Sequence, residues 1–368
     1  MQIKWTDNSN YIKGTTLDID LTNSKMAAFD LDHTLVKPTE GKKYSETDSD
    51  WELYDKSIPQ KLAKLDKDGY HLVIISNQKG MSKGKVDPNV WKSKLLKLVN
   101  LIGLDFTIFC SLKDDLYRKP RTKLWELING DKKTSFYCGD AGGLPKRKIK
   151  NVVVEKDFSD SDLKFALNVG IKFLHRDEFI YDEKYTKETY NIQYIDFSKF
   201  KKEQYVFKAN RQEVIINVGL PASGKSRYSL NQIIKNNTDY VYINQDTLKT
   251  PKKCCVVLID ALNNGKSAVI DNTNMSKANR KQYIDIANSY GVKCRCLVFT
   301  TSKDICIHNS YYRNFNTNGA IDVIPTMVYN MMNKKYEKPE LSEGFYEINE
   351  IDFVVGDQTP DCYKHYFT

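Results

Sequence analysis

Short apolar runs alternate with amphipathic stretches along most of the chain, and the alternation occurs twice. In the first series Met26 to Phe29 reads as a buried strand. Ile58, Leu62 and Leu65 then recur at helical spacing, with Gly69 as a stop. Tyr70 to Ile75 reads as a second strand, ending at Ser76-Asn77. Trp91, Leu95, Leu98, Val99 and Ile102 line one face of a helix closed by Gly103. Phe106 to Phe109 and Ser135 to Cys138 complete the strands, with helical Leu124 to Ile128 between them. Strands covered on both faces read as unbroken apolar runs, so the pattern predicts a parallel sheet flanked by helices. The first 25 or so residues predict no clear element.

The second series starts at Val214. It predicts strands at Val214–Val218, Tyr240–Ile243, Ala268–Ile270 and Arg295–Phe299. Helices are expected at Lys225–Lys235, Pro251–Asn263, Ser276–Ser289 and Lys303–Arg313. Between the series, about Tyr181 to Arg211, the chain is charged, rich in Tyr and Lys and weakly periodic. The expected fold class is therefore α/β, with two doubly wound, mostly parallel-sheet domains at 1–205 and 206–368.

A hydrophobic fraction of 40% fits a globular chain of 368 residues. No apolar run reaches the length of about 18 residues that a membrane span needs, and the start lacks a signal-peptide core. An intracellular monomer, in nucleus or cytoplasm, is expected. The 8 cysteines lack zinc spacing and read as reduced core thiols. A net charge of +9 fits attraction to a polyanion such as nucleic acid, and equally a lysine-rich solvated surface.

Two stretches carry chemistry. In Phe29-Asp30-Leu31-Asp32-His33-Thr34, both aspartates fall where a strand ends, the edge at which open α/β sheets bind ligands. Close carboxylates repel unless a hard cation such as Mg²⁺ joins them. Asp30 is placed to attack phosphorus, and Asp32 to protonate a leaving oxygen and later activate water. Three further strand ends add to this. Ser76 and Asn77 offer a hydroxyl and amides to phosphate, Lys119 offers a cation, and Asp140 offers another carboxylate. The expected metal ligands here are Asp30, Asp32 and Asp140. These elements resemble the haloacid dehalogenase phosphatases.

The second stretch, Gly219-Leu220-Pro221-Ala222-Ser223-Gly224-Lys225-Ser226, follows a strand and opens a helix, the context of a phosphate-binding loop. Gly219, Ser223, Gly224, Lys225 and Ser226 are the expected ATP-binding residues, with Ser226 on Mg²⁺. Asp246 is placed to take a proton from an attacking hydroxyl, and Arg313 to stabilise charge on the moving phosphoryl group. Asp271 is a candidate for the metal's surroundings, and Asn272 and Asn274 either position ligands or serve the turn. Arg280 either serves the nucleotide or is a surface residue.

Taken together, the halves resemble the polynucleotide kinase 3′-phosphatase family over about Met26 to Phe353. Shared stretches include Ser49-Asp50-Trp51, Gly69-Tyr70-His71-Leu72-Val73-Ile74, Leu116-Tyr117-Arg118-Lys119-Pro120, Lys156-Asp157-Phe158-Ser159, Asp246-Thr247-Leu248 and Glu343-Gly344-Phe345. The resemblance implies removal of 3′-phosphates and ATP-dependent phosphorylation of 5′-hydroxyls on DNA, or RNA, ends that a ligase then seals. A kinase–phosphatase of small metabolites is the alternative. His33 stands where the family has Gly, Gln245 where a basic residue is common, and Tyr311 at another commonly basic position. With about 25 residues ahead of the first site, the phosphopeptide-binding domain of vertebrate members is not expected.

Overall fold

The computed structural model describes residues 1–39, 45, 47–190, 192, 195–200, 205–356 and 359–368. The chain forms two compact units, Met1–Tyr194 with Lys364–Thr368, and Ile195–Tyr363. The division thus falls before the 205/206 expected, and the last five residues group with the first unit.

The first unit holds strands β1 (Lys4–Asp7), β2 (Tyr11–Thr15) and β3 (Met26–Phe29), then a hairpin of β4 (Val36–Pro38) and β5 (Trp51–Leu53). β6 (His71–Asn77), β7 (Phe106–Ser111) and β8 (Phe136–Gly139) follow, then a second hairpin, β9 (Arg147–Ile149) and β10 (Val152–Val154), and β11 (Lys172–His175). The main sheet runs β1-β2-β7-β6-β3-β8-β11. Its central strands are parallel, whereas β2 joins β7 antiparallel. The opening residues, for which no element was expected, therefore build the antiparallel edge. Alternate residues feed opposite faces of the sheet: Ala27, Phe29, Leu72 and Ile74 join one core, Met26, Ala28, Val73 and Ile75 the other.

The second unit carries β12 (Glu213–Val218), β13 (Tyr240–Asn244), β14 (Ser267–Asp271), β15 (Lys293–Phe299) and β16 (Phe345–Ile351). They form one parallel sheet in the order β13-β14-β12-β15-β16. The helix expected at Lys225–Lys235 is one helical stretch of mixed pitch: an α turn at Lys225–Tyr228, a π turn at Ser229–Ile233, then a 3₁₀ turn. The helix expected to end at Arg313 runs on to Asn316.

In both sheets the strand order reverses at one strand. From β3 the chain moves out through β6 and β7, then returns to the other side of β3 for β8 and β11. From β12 it moves to β13 and β14, then across to β15. The loops after β3 and β12 leave in different directions from their neighbours, and the crevice that opens there is where such sheets bind ligands. Asp30 follows β3 and Gly219 follows β12. All eight cysteines are free thiols. Among the described residues, no helix is long and apolar enough to cross a membrane.

Candidate active sites

In the first unit the N–H of Asp30 donates to the Cys138 carbonyl at 2.8 Å, tying the end of β3 to β8. Lys119 lies beneath, 3% exposed. Its Nζ donates to Asp30 Oδ1 and Asp162 Oδ1, each at 2.8 Å, and to the Tyr137 hydroxyl. Burial disfavours the charged ammonium, but Asp162 and Asp30 outweigh it and hold the lysine above its ordinary range. Asp140 comes from the end of β8, and Thr34 Oγ1 donates to its Oδ1 at 3.3 Å.

Asp30, Asp140 and Asp162 each bring a carboxylate oxygen within 4.8 Å of the others. Burial pushes Asp30 well above the usual carboxylate range, with Lys119 opposing and Asp162 and Asp140 adding to the rise. Asp140 is pushed to about 6, by burial first and Asp162 next. Three crowded hard-oxygen donors fit Mg²⁺, whose charge would relieve that repulsion.

Asp32, expected among the metal carboxylates, is not in this group. Its Oδ2 accepts from Gln78 Nε2 at 2.7 Å and its Oδ1 from Lys94 Nζ at 3.1 Å, which turn the side chain elsewhere. Asp162 takes the third place, with its Oδ2 accepting from Ala141 N at 3.1 Å. Ser76 is buried, and its Oγ accepts from Gln78 Nε2 at 2.9 Å. Asn77, expected to offer its amide to phosphate, spends it on the chain. Its Oδ1 accepts from Lys119 N at 3.0 Å and its Nδ2 donates to Lys119 O at 3.1 Å. Arg118 has a buried Nη1 with no hydrogen-bond partner among the described residues, and Asp30 acts on its charge. His33 sits at φ 58° with its carbonyl accepting from Arg176 Nη1 at 2.7 Å. Histidine is among the residues that enter this left-handed region most readily, so the tight turn keeps its shape without glycine.

In the second unit Gly219 packs where any side chain would collide: a Cβ there would lie 2.9 Å from Phe299 Cβ. Gly224 has φ 98°, also closed to most residues. Lys225 is buried and folded onto the loop. Its Nζ donates to the carbonyls of Gly219 at 3.0 Å and Leu220 at 2.6 Å, and to Ser223 Oγ at 3.3 Å. Burial lowers it to about 8, with Asp271 opposing. Ser226 Oγ donates to Asp271 Oδ2 at 2.5 Å. Asn217 at 3.3 Å, Asn244 at 3.1 Å and the Tyr242 hydroxyl also donate to Asp271. This serine–aspartate pair is a second oxygen donor set suited to Mg²⁺.

Asn244, not Asp246, caps the helix Gln245–Leu248, which leaves Asp246 an exposed carboxylate within electrostatic reach of Lys225. A cavity of about 480 Å³ is lined by Lys225, Ser226, Tyr312, Arg313, Phe353 and Tyr363, among others. Arg313 Nε is buried with no hydrogen-bond partner among the described residues. Asn309 Nδ2 and Thr301 Oγ1 hold the loop carbonyls of Ala222 and Ser223 at 2.9 and 2.8 Å. Arg280 is fully buried against Glu343 and Asn274 O, so it serves the fold. Asn274 is buried too, with its amide on Asn217 O at 2.8 Å.

Residues 25–180 match the family described as polynucleotide kinase 3 phosphatase. Residues 251–339 match a family described as an AAA domain, beginning beyond the phosphate loop. The chain is 31% identical over 353 residues to the bifunctional polynucleotide phosphatase/kinase of Schizosaccharomyces pombe, covering 93% of this chain and 83% of that one. A protein of Acanthamoeba polyphaga mimivirus, which carries the same name provisionally, is 34% identical over 387 residues, 95% of this chain and 90% of its own. The chain belongs to the bifunctional polynucleotide phosphatase/kinase family. This phosphatase/kinase has a 3′-phosphatase domain and a kinase domain. Arabidopsis thaliana polynucleotide 3′-phosphatase ZDP matches it over 181 residues at 34% identity, 43% of this chain and 24% of that one.

Four residues of the phosphatase/kinase sites escaped sequence reasoning. Asp162 lies in the first turn of the helix Ser161–Val169, where an acidic residue favours any helix and so draws no notice. Lys94, buried in the helix Pro88–Ile102, looked like one lysine among many. Arg118 stood in the shared stretch with Lys119 but without a role, its adjacency to Lys119 the available signal, and Gln78 directly follows Ser76-Asn77.

Proposed function

We propose that this phosphatase/kinase removes 3′-phosphates from DNA ends through an aspartyl-phosphate, and phosphorylates 5′-hydroxyl ends with ATP. The observation that carries the first half is the meeting of Asp30, Asp140, Asp162 and Lys119 at the strand where the sheet order reverses. An Asp30 oxygen forms a bond to phosphorus as the bond to the 3′ oxygen breaks, and Asp32 passes its proton to that oxygen. Asp32, now a carboxylate, draws a proton from the water that attacks the aspartyl-phosphate, which frees Asp30 and inorganic phosphate. Asp30, Asp140 and Asp162 would hold Mg²⁺, which when bound supplies charge neutralisation. The Ser76 hydroxyl and Arg118 would receive phosphate oxygens, and the Lys119 ammonium opposes the burial that favours a neutral Asp30.

In the kinase half, Lys225 exchanges its carbonyl partners for the β- and γ-phosphates of ATP, whose remainder lies in the cavity bounded by Phe353 and Tyr363. Ser226 and Asp271 would hold its Mg²⁺. Asp246 takes the proton of the 5′-hydroxyl as that oxygen bonds to the γ-phosphorus and ADP departs. Arg313 meets the charge in transit. The net charge of +9 supports a polyanionic substrate. The test compares 5′-hydroxyl DNA, 5′-hydroxyl RNA and free nucleosides as acceptors, alongside 3′-phosphorylated DNA. Turnover on DNA ends that stops with EDTA is expected; equal turnover on free nucleosides would overturn the reading.

A further inference from the structure

We propose that Lys94 and Gln78 are positioning residues that hold Asp32 and Ser76 in their working orientations, an inference that rests on Asp32 being the acid and base of the phosphatase. Gln78 follows the end of β6 and is 9% exposed. Its Nε2 donates to Asp32 Oδ2 at 2.7 Å and to Ser76 Oγ at 2.9 Å. Asp32 Oδ2 accepts in this contact, so the nitrogen end of the amide faces Asp32. The second hydrogen of the same NH₂ then goes to Ser76. A hydroxyl that accepts there keeps its own hydrogen for another acceptor, and at this strand end that acceptor is a phosphate oxygen. One amide therefore sets the donor direction of the phosphate-binding hydroxyl and the plane of the acid–base carboxylate.

Lys94 grips the other oxygen. It is 5% exposed, and its Nζ lies 3.1 Å from Asp32 Oδ1 and 3.5 Å from Ser45 Oγ. A buried ammonium is costly unless an anion meets it, and Asp32 is the carboxylate it meets. With one donor on each oxygen, Asp32 cannot swing towards Asp30, Asp140 and Asp162. The clamp thus keeps the acid–base group from becoming a fourth ligand of the metal and leaves it free to exchange protons with the substrate.

The test uses the full chain with Lys94→Met and Gln78→Leu, assayed on a 3′-phosphorylated oligonucleotide and on p-nitrophenyl phosphate. Nitrophenolate leaves without needing a proton, so loss of acid orientation penalises the oligonucleotide more. For Lys94→Met, kcat on the oligonucleotide should fall roughly tenfold or more with KM within about twofold, and the loss on p-nitrophenyl phosphate should be smaller. Gln78→Leu should also raise KM, because Ser76 loses its orientation. Kinase turnover should stay unchanged. Lys94→Gln gives the same readout should thermal unfolding show that Lys94→Met does not fold. Equal losses on the two substrates, or a folded variant with unchanged kcat on the oligonucleotide, would overturn the inference. Asp32→Asn separates the two levels. If it keeps full activity, the acid–base role itself fails; if it is inactive while Lys94→Met and Gln78→Leu are unaffected, only the clamp fails.

Discussion

Burial holds Lys225 at about 8, against an ordinary 10.5, and its ammonium rests on carbonyls rather than on a counter-ion. Two consequences follow from the sign of that shift. Between those values the unfolded chain binds more protons than the folded one, so stability of the kinase unit rises as pH rises through the window. ATP phosphates would restore the charged form, so ATP binding at pH 8.5 should take up roughly three quarters of a proton. Calorimetry in buffers of different ionisation heat measures this directly, and an enthalpy independent of buffer would contradict it. At His33 the φ of 58° sets a different limit. His33→Gly should fold as well as the parent, whereas His33→Val should destabilise the phosphatase unit by about 1–2 kcal/mol in urea unfolding. Which residues were legible follows from the same local physics. Asp30, Asp140 and Lys225 each stand directly after an apolar run or a glycine signature, and local pattern marks them. Asp162 and Lys94 reach the site from helices, where nothing local separates them from ordinary first-turn or surface charges.

Strands buried on both faces were legible as elements, because the polar residues of β3, β6, β7, β8, β12 and β14 fall at or next to the strand ends and leave an apolar run between them. Strands β1, β2 and β16, at or next to sheet edges, were not. β1 and β2 mix Lys, Asp, Thr and Gly14, whose missing side chain makes room for the Trp5 ring. β16, beside β15, breaks its apolar residues with Glu347, Asn349 and Glu350, and these polar positions disguise it. How elements are joined was also invisible. Asn77 stitches the end of β6 to the backbone of Lys119, with Ser111 Oγ donating to it at 3.0 Å. Asn77→Ala should free the Lys119 segment and lower phosphatase kcat roughly ten- to a hundredfold, with kinase turnover intact. A raised KM with unchanged kcat would instead make Asn77 a direct phosphate contact.

For the whole molecule, two α/β units each place chemistry at the strand where sheet order reverses, and the doubled alternation of the sequence announced both. The division point was harder to see. The stretch around it is polar and weakly periodic, and the return of Lys364–Thr368 to the first unit depends on long-range contacts: Lys164 Nζ to Thr368 O at 2.9 Å, and Asn168 Nδ2 to Tyr366 O at 2.6 Å. Two chemically independent sites in one chain are the central claim. It is tested most directly on a nicked duplex bearing a 3′-phosphate and a 5′-hydroxyl, with 3′-phosphate release and 5′ phosphorylation followed together. Asp30→Asn should abolish the first and leave the second at its parent rate, and Lys225→Ala should do the reverse. Loss of both activities in either variant, with the protein still folded, would contradict the account.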